Sequence, residues 1–119
     1  MLALAVMLTA CASLYTATCT ITSVVDAGMR DWAQMSVAGK TSPAIDAAVI
    51  RAHDTYREAC LVARDALVAY KASGDETQYV AALTAVRAAA TGIFQIITPL
   101  MSQTQAANLN SQLSKATAL

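Results

Sequence analysis

The chain is short of charge, glycine, proline, aromatics and histidine, and each shortage removes a class of function. Charged residues make up 13% of the 119 residues, eight basic against eight acidic, so the formal net charge is zero. Such a balance leaves no electrostatic footprint for nucleic acid or for an anionic lipid surface. Aromatics are 5%, with one Trp and one Phe, which excludes an extended stacking platform for bases. Four Gly and two Pro are too few for a turn-rich β-sandwich or a proline-rich stalk. What the chain does have is apolar residues, at 56%, enough to build a packed core in one domain.

Catalytic and metal-binding patterns fail on spacing. His53 is the single histidine, seven residues from Cys60. Two helical turns of about 10.5 Å separate them, too far for a dyad or a shared metal. Asp54 and Glu58 stand at i,i+4 amid Arg51 and Arg57, the pattern of a solvated charge ladder. There is no Cys-x-x-Cys, no Glu-x-x-His, no glycine-rich phosphate loop and no Gly-x-Ser-x-Gly. The residues therefore imply neither an enzyme nor a metal or other cofactor. An alternative is a helical bundle that binds a small apolar ligand or haem, with His53 and one of Met29, Met35 or Met101 as axial ligands.

The amino terminus carries a different signal. No charged residue occurs before Asp26, and the opening run Met1 to Leu8 is apolar. Leu8-Thr9-Ala10-Cys11 follows directly. This tetrapeptide, placed after an apolar run, resembles the lipobox of bacterial lipoprotein precursors. The resemblance implies cleavage before Cys11 and a diacylglycerol on its thiol. It also implies an envelope location facing the periplasm, with the membrane as a partner through the lipid. Ala12 stands where an aspartate would favour inner-membrane retention, so the resemblance leans toward the outer membrane. Two acyl chains on one cysteine suffice for stable anchoring, at about 0.8 kcal/mol per buried methylene. The other reading is an uncleaved anchor over residues 1–25, long enough for a span of about 20 residues but crowded with Ser and Thr in its second half.

Three cysteines are present. With Cys11 acylated, Cys19 and Cys60 remain as a candidate disulfide for an oxidising compartment. In a hairpin turning at residues 39–42 the two lie nearly equidistant from the turn. The bridge would close a loop of about 40 residues, worth about 4 kcal/mol on the chain-entropy account. It works best if the first helix starts near Ser23, because a helix continuous through residue 19 points Cys19 away from the apolar stripe. The chain is accordingly divided into a signal peptide (1–10), a lipidated tether (11–22) and a helical bundle domain (23–119).

Everything past the tether reads as helix. The 27 alanines and the absence of sustained period-two alternation predict an all-α fold, a small antiparallel bundle of three main helices plus a short C-terminal one. Ile21, Val25, Gly28, Trp32 and Met35 mark the first stripe, and Gly39 ends it. Ser42-Pro43 reads as an N-cap with proline at the first helical position. Ile45, Val49, Ala52, Tyr56, Ala59, Ala63, Ala66 and Tyr70 form a heptad stripe ending at Gly74. Asp75 and Gln78 suggest a capping box, followed by the stripe Tyr79, Leu83, Val86, Ala90, Ile93 and Ile97. Pro99 ends or kinks that helix, and Ala106, Leu109, Leu113 and Ala116 outline the last.

After Glu76 only Arg87 and Lys115 are charged. Within this half Ile93 to Met101 is almost continuously apolar, more than one seam can bury. Two readings follow: burial between the first and last helices, or an exposed surface for a protein partner formed by Ile93, Phe94, Ile97, Leu100 and Met101.

Overall fold

The computed structural model describes the backbone of residues 2–117 and the side chains of residues 19–115. Four α-helices follow in order: α1 (Leu2–Val37), α2 (Pro43–Ser73), α3 (Thr77–Ile97) and α4 (Gln103–Thr117), with a single 3-10 turn at Thr98–Leu100. Short connections set successive helices antiparallel, and the body measures 57 × 25 × 17 Å.

Each helix end is fixed by local chemistry. α1 closes in a Schellman motif: Gly39 takes φ 73°, its N–H donates to Ser36 O at 3.1 Å, and the Lys40 N–H donates to Met35 O at 2.9 Å. Only glycine enters that left-handed conformation without a Cβ penalty. Ser42 Oγ accepts from the Ile45 N–H at 3.2 Å, and Pro43 opens α2. Gly74 (φ 76°) ends α2, its N–H donating to Tyr70 O at 2.7 Å. The start of α3 departs from a capping box. Asp75 Oδ1 accepts from the Thr77 N–H at 3.0 Å, while Glu76 occupies the N-cap without a side-chain bond. The acceptor thus serves a donor one residue nearer than the box requires.

The core follows the predicted stripes. Ile21 and Val25 from α1, Val49, Tyr56, Ala63 and Tyr70 from α2, and Tyr79, Leu83, Val86, Ala90, Ile93 and Ile97 from α3 are all buried. Leu109 and Leu113 seat α4 on them; Ala116 lies outside the described side chains. The broadest helix contact is α2 with α3, where alanines permit close approach. α1 packs mainly on α4 and α3. At the α1–α3 crossing Gly28 meets Phe94 so closely that a Cβ there would lie 2.6 Å from the ring.

The first helix differs from its expected start. It does not begin near Ser23: the backbone is helical through 11–22, and Ile21 is fully buried. No Gly or Pro interrupts residues 1–27, and scattered Thr and Ser lower helix propensity by only a few tenths of a kcal/mol each.

Candidate functional site

Three polar groupings and one external face hold the chemistry of this bundle. At the α1–α2 corner the Asp46 carboxylate, one turn into α2, accepts three side-chain hydrogen bonds. Thr41 Oγ1 donates at 2.8 Å and Trp32 Nε1 at 2.9 Å to Oδ1, while Ser36 Oγ donates to Oδ2 at 3.0 Å. The Thr41 bond most strongly holds the carboxyl below its ordinary value of 3.8; desolvation opposes it, and the Trp32 and Ser36 bonds add to it. Sequence periodicity does not reveal this cluster, because its donors Trp32 and Ser36 come from another helix.

Midway along the bundle the Tyr56 hydroxyl donates to Thr22 Oγ1 at 3.3 Å, joining α2 to α1. Burial is the chief cause that pushes this phenol above its ordinary value of 10.0, with the neighbouring Cys60 thiol and Asp26 carboxylate acting in the same sense. The His53 ring lies 5.9 Å from the Tyr56 ring at a 43° tilt. His53 and Cys60 flank Tyr56 on one helix and do not meet across a gap. At the far end Tyr70 and Tyr79 lie nearly parallel, centroids 6.4 Å apart.

The structure corrects two expectations. Cys19 and Cys60 are free thiols, Cys19 exposed and Cys60 half-buried. The continuous α1 places Cys19 roughly 160° around the helix from buried Ile21, so the pairing that needed a tether at residues 12–22 is not formed. Second, Ile93, Phe94 and Ile97 are at most 2% exposed and form no partner surface. Leu100 and Met101 are half-buried, and Met101 packs against the core. α1 packs on this run at Gly28, and the 3-10 turn around Pro99 redirects the chain so that α4 returns beside it, which explains how so many adjacent apolar residues find cover. The lipobox-like residues through Cys11 lie outside the described side chains.

Among the described residues no group of three or more His, Cys, Asp or Glu is placed to hold a metal. Between α2 and α3 runs an open groove of about 570 Å³, lined by Val62, Ala66 and Ala69 on one side and Ala81, Ala82 and Ala85 on the other. Its lining contains no His or Met, and His53 is half a turn around α2 from Val62. The groove therefore brings no axial ligand to a haem. α3 with its following turn (Thr77–Leu100, mean hydropathy 1.6) is long and apolar enough to cross a membrane. Its apolar stripe is instead the centre of the bundle core.

Among the described residues the exposed large apolar side chains are Val37 at the end of α1, Val80 on α3 and, on α2, Ile50, Leu61, Val62 and Val68. Ile50 (50% exposed), Leu61 (50%) and Val68 (65%) lie within about 20° of one another around that helix, on the side away from Tyr56. Arg57 and Arg64 border this stripe on one flank, Glu58, Asp65 and, further round, Arg51 on the other, with Asp54 near its centre, and Arg64 Nη2 touches Asp65 Oδ1 at 3.5 Å. Sequence reading assigned this face to solvent by its charges and passed over the apolar residues between them. The signal was the seven-residue recurrence of Leu61 and Val68. Comparison with known protein families, characterised proteins and solved structures finds no match to the chain.

Proposed function

We propose that this chain is a small lipoprotein of the bacterial envelope, held at a membrane by a lipid on Cys11 and acting as a non-catalytic interaction protein. The observation that carries the reading is Leu8-Thr9-Ala10-Cys11 immediately after an uncharged apolar run. Among the described residues the first in the core is Ile21, ten positions after Cys11. A helix of that length adds about 15 Å between the lipid and the folded body. Ala12 favours the outer membrane, with the bundle facing the periplasm.

The function rests on surface and not on an internal site. The apolar run near Pro99 is spent on the core, so the contact face is the outside of α2, where Ile50, Leu61 and Val68 stand exposed. Metabolic labelling with palmitate in a bacterial host tests the tether. Incorporation should occur and should vanish in Cys11→Ser, with the variant released from the membrane fraction. A Cys11→Ser variant that keeps its label or its membrane association would overturn the reading.

A further inference from the structure

The outer face of α2 matches a second copy of itself better in a parallel than in an antiparallel orientation. Around the helix axis, with Leu61 at the centre, Arg57 and Arg64 lie about 40° and 60° to one side and Asp65 and Glu58 about 40° and 60° to the other, while Asp54, one heptad before Leu61, lies about 20° from the centre and Arg51 about 80° round on the carboxylate side. The pattern repeats by heptads: Arg57-Glu58 precedes Leu61 as Arg64-Asp65 precedes Val68. A two-fold axis parallel to the helices sets the arginine flank of one copy against the carboxylate flank of the other at the same height. Arg57 then faces Glu58 of the second copy and Arg64 faces its Asp65, while Asp54, at the heptad position of Leu61 and Val68, meets its own counterpart and weakens the upper end of the seam. An antiparallel pair sets like flanks together, arginine on arginine and carboxylate on carboxylate, which is unfavourable.

We infer that the exposed face of α2 binds a second copy of this chain as a parallel, two-fold dimer, with Leu61 and Val68 each meeting their own counterparts across the axis. This deepens the proposed function by naming the partner of the α2 face, and its orientation accords with the tether. A two-fold axis along the bundle leaves both amino-terminal ends on one side, as two chains lipidated at Cys11 in one bilayer require. An antiparallel pair would put them at opposite ends of a body 57 Å long.

The contact is modest. Ile50 to Val68 spans about 27 Å of helix, so the area buried is of order 1,000 Å², at the low end for a specific interface. The Arg64–Asp65 contact within each chain is 69% and 76% exposed and costs little to exchange for its equivalent across the axis. The dimer is therefore weak in solution, and confinement to a membrane raises its effective concentration.

The test uses the full chain in liposomes, with Cys19 and Cys60 changed to Ser and a single cysteine restored at position 61 or 68. A short bismaleimide cross-linker is added, and the parent carrying neither new cysteine is the control. Both Leu61→Cys and Val68→Cys should yield covalent dimers above that control. Cross-linking at 61 without 68 indicates an antiparallel pair and overturns the proposal, as does cross-linking at neither. Arg57→Glu with Arg64→Glu should lower the dimer yield at least tenfold while the helical circular dichroism is kept. Adding Glu58→Arg and Asp65→Arg should restore it; a restored fold without restored cross-linking refutes the charge pairing. A lipidated chain that stays monomeric sinks this inference and leaves the tether standing, whereas a dimer without lipid does the reverse.

Discussion

Two glycines, each changed to alanine, should shift stability in opposite directions. Both are helical, and in a helix interior alanine is favoured over glycine by about 0.8–1.0 kcal/mol. At Gly92 an added Cβ meets nothing within 4 Å, so Gly92→Ala should realise that gain in full. At Gly28 the same Cβ would lie 2.6 Å from Phe94 Cε1 and 3.2 Å from Ile97 Cδ1. Phe94 is 2% exposed and Ile97 fully buried, so neither can turn away into solvent. Overpacking of a filled core costs about 1–3 kcal/mol, which leaves Gly28→Ala destabilising by about 1 kcal/mol after the propensity gain is subtracted. Urea unfolding followed by circular dichroism at 222 nm measures both, as opposite shifts in midpoint at constant m-value. Phe94→Leu removes the ring atoms in the way, so Gly28→Ala should cost less in that background than alone. If Gly28→Ala stabilises the protein as much as Gly92→Ala, the close α1–α3 crossing is wrong.

The Asp46 corner can be read through Trp32, the sole tryptophan: Asp46→Asn should shift its emission and lower stability at neutral pH. In the native protein the carboxyl sits below 3.8, so its stabilising contribution is present above the ordinary carboxylate value. It is lost as pH falls through the lowered folded one, and an acid titration of Trp32 emission should show a transition that Asp46→Asn lacks. Tyr56→Phe removes one long hydrogen bond to Thr22 and should cost about 0.5–1 kcal/mol in the same urea assay. Because the Tyr56 phenol is raised above 10.0, its contribution is full below that pH and lost as the pH climbs through the folded value. Absorbance at 295 nm should show an ionisation above the ordinary phenol range that Tyr56→Phe lacks. Ile97→Asp should cost about 4 kcal/mol or more, since it buries a charge in the core, whereas Leu61→Asp should change dilute-protein stability by no more than about 0.5 kcal/mol.

Much of the architecture was legible because it depends on local rules. The heptad stripe of α2 runs from Ile45 to Tyr70 without a misplaced residue, since a 3.6-residue period and a core on one side leave no other arrangement. Ser42-Pro43, Gly39 and Gly74 mark helix ends through backbone chemistry that a few residues fix. The start of α1 was not legible, because Ser and Thr were read as a loop when nothing in residues 1–27 stops a helix. That misreading also produced the disulfide, whose geometry needed a flexible segment around Cys19. The run from Ile93 to Met101 was ambiguous for a different reason. Whether it is covered depends on α1 packing across it and α4 folding back, long-range events that no local pattern encodes. Asp46 was missed because its donors Trp32 and Ser36 come from another helix, and the α2 stripe because its charges outnumber its apolar side chains.

The claim on which the rest depends is the lipid at residue 11, and the intact mass of the protein extracted from the membrane fraction tests it directly. The account predicts loss of residues 1–10 and a diacylglyceryl adduct on Cys11. A soluble chain with an unmodified thiol at Cys11 would contradict it.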